Sequence, residues 1–158
     1  MCGPSTRHSR QFVRRVAIRP TAPSSGWRNS VRAVDSTFPI DVLKADSGAI
    51  ARARSMAERD ELAAIPAPAL AEILVGAYLR GGALLDTTVS LLNQFEVLVT
   101  DQAVAHEAGR LGGEMRRRGA SMSAPDLLVA ATCMVGNLTL ISRDDAFARV
   151  PGLTVEHY

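Results

Sequence analysis

The sequence predicts an α/β domain: a three-layer sandwich with helices on both sides of a mostly parallel central sheet. Three observations carry that prediction. Short apolar runs of about four or five residues alternate with longer segments in which apolar residues recur every three or four positions. Turn and cap residues, among them Asp46-Ser47-Gly48, Gly81-Gly82, Gly119 and Gly136-Asn137, punctuate the boundaries. An apolar content of 47% with only 4% aromatic residues suits an aliphatic core of the size that 158 residues bury as one domain. Strands that alternate with helices of this length pair in parallel through crossovers.

Residues 1–30 show no helical or strand periodicity and collect Pro4, Pro20, Pro23, Ser24, Ser25 and Gly26, so a disordered basic tail is expected there. Three accounts of it compete: an RNA-attracting arm, an Arg-rich targeting presequence, or upstream sequence translated from a start placed too early. The third is preferred, because Val31 stands four residues before the first informative acid and bacterial start codons can read as valine internally. The domain proper is therefore expected over residues 31–158.

Val31 to Asp35 reads as a short strand ending in a carboxylate. Ser36 or Thr37 is expected to cap the helix that follows, with Pro39 acceptable in its first turn and Ile40, Val42 and Leu43 supplying apolar surface. A second helix covers ARARSMAERD, and Leu62–Ile65 forms a brief strand broken by Pro66 and Pro68. The apolar segment Ala69–Tyr78 is a helix interrupted by Glu72, a carboxylate expected to be partly buried and therefore to need a partner. Ala83–Asn93 gives another helix, and Phe95–Val99 a strand. Thr100 or Asp101 caps a long helix through Arg118, closed by Gly119, whose last turn carries Arg116, Arg117 and Arg118. Ser123-x-x-Asp126 with Pro125 starts a helix through Gly136, Leu138–Ser142 alternates like a buried strand, and Leu153–Glu156 ends the chain as an edge strand.

The formal charge of +2 conceals an asymmetry. Residues 1–32 hold seven arginines and no acid, whereas residues 33–158 hold eleven basic and sixteen acidic residues. The folded part is acidic, and the basic character belongs to the tail. No apolar run approaches the roughly 20 residues needed to span a bilayer, and no apolar signal segment precedes Val31, so a cytoplasmic protein is expected. Cys133 lies on an apolar helix and is expected to be buried and reduced. P-loop, GxGxxG, CxxC and HExxH patterns are missing, and the three histidines are scattered, which leaves neither a zinc site nor a histidine triad.

What remains is a set of four carboxylates. Asp35, Glu72, Asp126 and Asp144 fall at or beside the ends of elements on one sheet edge, the edge where ligands gather in parallel α/β folds. Taken singly, each has a bland reading as a helix cap or an ion-pair partner. Crowded together they repel, and a hard divalent cation relieves the repulsion. Oxygen-only ligands select Mg2+ or Mn2+, and such an ion polarises a phosphodiester and lowers the pKa of a bound water. An acidic domain could act on a polyanion in this way.

VDSTFPIDVL at 34–43, PAPALAEILVGAY at 66–78, SAPDLLVAATC at 123–133, LISRDDAF at 140–147 and PGLTVEHY at 151–158 resemble the successive motifs of a PIN domain, most of all those of the bacterial VapC-type toxin ribonucleases. The resemblance covers about residues 33–158. It implies a PIN-like three-layer fold and an Mg2+-dependent endoribonuclease, with Mn2+ able to substitute, that acts as the toxin of a toxin–antitoxin pair. It also implies a cognate antitoxin as partner and a homodimer. Carried over, it makes Asp35, Glu72, Asp126 and Asp144 the catalytic set. Asp35, Asp126 and Asp144 are then the metal ligands, Glu72 orients or deprotonates the attacking water, and Ser142 is a hydroxyl near the metal. Asp145 is not expected among the ligands. Two departures stand out: Pro39 replaces a large aliphatic residue, which is expected to loosen the first helix against the sheet, and the arginine-rich tail has no family counterpart.

Two rival readings follow from the same residues. In a non-catalytic PIN-like binding module the acids only cap helices. An aspartyl-phosphate protein would need paired acids near the first strand, which Asp35-Ser36-Thr37 does not supply. For the chain start, mass spectrometry of the native protein is expected to find no peptide from residues 7–28; recovering one would refute a start at Val31.

Overall fold

Within residues 31–158, which are those the computed structural model describes, the predicted alternation of strands and helices is present throughout. The basic segment of residues 1–30, its expected disorder and Cys2 lie outside the described residues. The elements run β1 (Val31–Val34), α1 (Thr37–Leu43), α2 (Ser47–Glu58), β2 (Leu62–Pro66), α3 (Ala67–Arg80), α4 (Gly82–Leu92) and β3 (Glu96–Leu98). They continue with α5 (Gln102–Arg117), α6 (Ala124–Gly136), β4 (Thr139–Ile141), α7 (Asp145–Ala148) and β5 (Val155–Glu156).

The strands form one sheet in the order β3-β2-β1-β4-β5, and all four pairings are parallel. Ala33 is the pivot of the register, opposite Ala64 of β2 on one side and Leu140 of β4 on the other. Such small and aliphatic residues suit strands covered by helices on both faces. Ala33, Val34, Ala64, Ile65, Leu140 and Ile141 are fully buried, giving the three-layer α/β sandwich its core.

The order of connections matters more than the core. From β1 the chain moves outward to β2 and then to β3, crosses back to β4, and continues to β5 on the other side. The two halves of the sheet therefore diverge between β1 and β4. In an open parallel sheet, that divergence leaves a crevice beyond the carboxyl ends of the two strands. Asp35 follows β1 directly, and Ser142 follows β4.

Local chemistry sets the helix boundaries. Asp46 Oδ1 accepts the Gly48 and Ala49 amides at 3.0 Å each and starts α2. The Asp101 carboxylate accepts the Val104 amide at 2.9 Å and starts α5, so the acid and not Thr100 is the cap. Ser123 caps α6, and Asn137, left-handed at φ 51°, ends it. Pro39 is fully buried within α1, which does not bear out the expected loosening of that helix. The four-residue α7 was not anticipated, because Asp145–Ala148 is too short to show periodicity.

One ion-pair network ties the sheet to a helix. Buried Arg52 on α2 reaches Glu61 Oε2 at 2.9 Å and Glu156 Oε1 on β5 at 2.8 Å, while Arg32 on β1 reaches Glu61 at 3.5 Å. Removing one partner of a buried network leaves its counter-charge uncompensated. Arg52→Ala is expected to cost about 3–5 kcal/mol in equilibrium denaturant unfolding. Arg52→Met, which keeps the stem packing, is expected to cost less than the alanine variant.

Candidate active site

Asp35 is the anchor of the crevice. Its amide still donates to Ile141 O at 3.3 Å, so the β1–β4 ladder extends one residue into the site. Its carboxylate is 3% exposed and takes four hydrogen bonds. Oδ1 accepts from Thr37 Oγ1 at 2.6 Å, the Thr37 amide at 3.0 Å and the Phe38 amide at 3.4 Å, and Oδ2 accepts from Ser142 Oγ. Asp35 thus caps α1 itself, the task expected of Ser36 or Thr37; Ser36 makes no side-chain cap. The bland and the functional readings of Asp35 coexist. Burial raises its pKa above the ordinary aspartate range, and the Ser142 and Thr37 hydrogen bonds offset part of the rise.

Ser142 joins the two strand ends. Fully buried, it donates to Asp35 and accepts the Asp144 amide at 2.9 Å, so the backbone of Asp144 hangs from the same hydroxyl that holds Asp35. The exposed Asp144 caps α7 through the Ala146 amide at 2.8 Å. Asp126 stands in the first turn of α6, half-buried, where Ser123 Oγ donates to its Oδ2 and accepts its amide at 3.2 Å.

Asp126, Ala130 and Cys133 share one stripe of α6 at intervals of four and three residues, and Ala130 and Cys133 are fully buried. Burial, and secondarily the charge of Asp35, pushes the Cys133 thiol up to about 12. The stripe of α6 that carries Asp126 therefore continues into the buried core of the domain. Cys133 is free and buried, as expected.

Glu72 differs from its expectation. It is exposed on α3 and has no ion-pair partner among the described residues; the buried positions of that helix, Ala69, Ile73 and Ala77, fall on a different stripe. Of the apolar residues expected to wrap it, Leu70, Ile73, Leu74 and Ala77 are buried or half-buried, but Tyr78 is exposed, and so are Val75 and Leu79 on the Glu72 side of the helix.

A group missed in the sequence surrounds Thr37. Arg143 donates its amide to Thr37 Oγ1 at 3.3 Å, and its guanidinium reaches Asp46 Oδ1 at 2.7 Å and Asp41 Oδ2 at 3.2 Å. The Tyr158 ring lies under that guanidinium, 4.6 Å from Cζ, and edge-on to Phe38 at 5.2 Å. Its hydroxyl donates to Asp41 Oδ2 at 2.9 Å. Arg143 holds Asp46 below the usual carboxylate range, and burial pushes the Tyr158 hydroxyl up. The one available signal was the Asp-x-Thr spacing at 35–37, which favours a side-chain-to-backbone turn.

A family model described as the PIN domain matches residues 33–153. The chain belongs to the PIN-domain family. Comparison with curated protein sequences returns no match. Among solved structures, this PIN domain is similar to VapBC2 from Rickettsia felis bound to a DNA fragment from their promoter, with TM-score 0.70 and 19% identity over 81% of this chain and 98% of that one. It is also similar to FitAcB from Neisseria gonorrhoeae, with TM-score 0.67 and 20% identity over 79% and 95% of the two chains. A third likeness is to VapBC-5 from Mycobacterium tuberculosis, a member of the VapBC family of toxin–antitoxin systems, with TM-score 0.61 and 23% identity over 81% and 97%.

Among the described residues, no three acidic, histidine or cysteine side chains stand together as a ready-made metal cage. The donor chemistry nevertheless fits a hard divalent ion. Carboxylates offer about four acceptor sites each, and Oδ2 of Asp35 takes only the Ser142 hydroxyl, while Asp126 and Asp144 each engage one oxygen in a cap. Without added metal, the raised pKa of Asp35 means that ionisation disfavours the folded state: stability is greatest below the unfolded value near ~4 and falls as pH rises through the folded value. Asp35→Asn is therefore expected to raise the melting temperature at neutral pH, with the gain vanishing as pH falls through about 4. Thermal unfolding across pH in EDTA checks this, and a variant less stable at every pH would contradict it.

Proposed function

We propose that this PIN domain is a metal-dependent endoribonuclease that acts as the toxin of a toxin–antitoxin pair. The observation that carries the reading is the buried, four-fold hydrogen-bonded Asp35 carboxylate at the divergence of the sheet, tied through one hydroxyl to the segment bearing Asp144. Asp35, Asp126 and Asp144 would hold Mg2+, for which Mn2+ substitutes, and the bound ion would polarise the phosphodiester and lower the pKa of water. Ser142 and Thr37 fix the orientation of Asp35, so that its open lone pair keeps one direction. Glu72, exposed to solvent, would orient the attacking water and take its proton as the water oxygen attacks phosphorus and the bond to the leaving ribose oxygen breaks. The leaving oxygen takes its proton from solvent.

Family membership supports the nuclease class, and the VapBC and FitAcB structures support an antitoxin as protein partner. Exposed Val75, Tyr78 and Leu79 on α3 and Leu84 on α4 supply apolar surface suited to that partner or to a homodimer. None of the described helices is long and apolar enough to cross a membrane, in keeping with a cytoplasmic site of action. A second reading, the non-catalytic binding module, draws on the engagement of Asp126 and Asp144 in their own helix caps.

RNA cleavage by the full chain with Mn2+ separates the two. EDTA and Asp35→Asn are each expected to abolish cleavage, and Glu72→Gln to lower kcat about 10²–10⁴-fold. Mn2+ is expected to raise the melting temperature of the wild type and not that of Asp35→Asn. Cleavage that survives both EDTA and Asp35→Asn would exclude the metal mechanism.

A further inference from the structure

Helices α5 and α6 form an antiparallel hairpin that carries a basic cluster to the edge where Asp126 stands. Gly119, at φ 72°, reverses the chain in a conformation that a side chain would disfavour, and the Ala120 amide returns to Met115 O at 2.9 Å. A β-carbon on Gly112 would meet a Leu127 methyl at 3.0 Å, so the later turns of α5 lie against the first turn of α6. Arg116 and Arg117 thus stand at the same end of the hairpin as Ser123 and Asp126.

The neighbouring charges do not account for these two arginines. Glu114 accepts from Arg110 at 2.9 Å and also from Arg118, and Glu107 takes the rest of the Arg110 guanidinium. Arg116 and Arg117 are exposed and have no acidic partner among the described residues. Cations in a last turn complement the helix dipole, a role that Arg118 at the end of α5 shares. Residues 31–158 carry sixteen acids against twelve basic residues, so two adjacent unpaired cations form a local positive spot on an acidic surface. A polyanion approaching the carboxylate edge is repelled by that surface and needs such a spot to dock.

We propose that Arg116 and Arg117 anchor the phosphate backbone of single-stranded RNA beside the Asp126 edge, which makes them substrate-positioning residues. The inference rests on the nuclease reading above. An acidic protein segment is the less favoured occupant, because the spot adjoins the edge where the phosphodiester must arrive.

Anisotropy of a labelled single-stranded RNA oligomer tests this with the full chain carrying Asp35→Asn, so that the RNA stays intact. The oligomer is titrated at several KCl concentrations with and without Arg116→Ala/Arg117→Ala. Two lost phosphate contacts are expected to reduce the slope of log K against log salt by about 1.4 and to weaken binding roughly tenfold near 0.1 M salt. Arg116→Lys/Arg117→Lys is expected to keep most of the slope, because the charge is retained. Equal slopes and affinities for parent and alanine variant would overturn the proposal and leave the pair to a protein partner. A parallel cleavage assay keeps the two readings apart. Equal slopes with wild-type cleavage intact sink only the arginine assignment, whereas a wild type that fails to cut RNA with Mn2+ sinks the nuclease reading.

Discussion

The hydroxyl of Ser142, shared between the Asp35 carboxylate and the Asp144 amide, joins strands more than a hundred residues apart in sequence. It sits where the sheet's connections diverge, so it fixes the relative position of the β1 and β4 ends. A carboxylate this deeply buried is tolerated only with its oxygens satisfied, and the donors come from three places: the start of α1, the Thr37 side chain and the end of β4. Loss of any one donor would leave the charge less compensated and the crevice less defined. Stability and site geometry thus rest on the same few atoms.

Helix capping recurs throughout the molecule, and it explains how bland and functional roles fall on the same residues. Asp35, Ser123 with Asp126, and Asp144 all satisfy orphan amides at helix starts. In a parallel α/β sheet, a helix that follows a strand begins beyond the strand's carboxyl end, where ligands also bind. The positive end of a helix dipole favours an ionised carboxylate there. For Asp35, after β1, and Asp144, after β4, an acid that starts a helix and an acid that could ligate a cation are therefore brought to one edge by the same architecture. Asp46 and Asp101 show the limit of the argument, since they cap helices without standing at the junction of β1 and β4.

The clasp of Arg143, Tyr158, Asp41 and Asp46 supports this edge from the side. Its guanidinium neutralises two acids of the α1–α2 region, and its amide meets the Thr37 hydroxyl that holds Asp35. The final residue of the chain thereby packs next to the most buried carboxylate of the domain through Phe38, which Asp35 caps. Further along α2, Arg52 together with Arg32 binds Glu61 and Glu156, so β5 is held by ion pairs as well as by its short ladder. These two ion-pair groups fasten peripheral elements to the sheet, whereas Arg116 and Arg117 at the α5–α6 turn have no acidic partner among the described residues.

The alternating elements, their caps and the four candidate acids were legible in the sequence because each depends on residues within a few positions of one another. Apolar periodicity, a serine three residues before an aspartate, and glycine or asparagine at a helix end are local signals, and they placed β1, α6 and β4 closely. They also sufficed to name the PIN family from ordered motifs. Convergence is not local. Whether Asp35 meets Ser142 depends on the β1–β4 pairing, which only the crossover from β3 establishes. Glu72 reads as half-buried because its neighbours are apolar, yet the orientation of α3 leaves Val75 and Leu79 in solvent beside it. The hairpin that sets Arg116 and Arg117 beside Asp126 was equally hidden, since it depends on packing between two separate helices at Gly112 and Leu127. Sequence decided which side chains were present at helix and strand ends; tertiary packing decided which of them share a crevice, because that is fixed by contacts between elements and not within them.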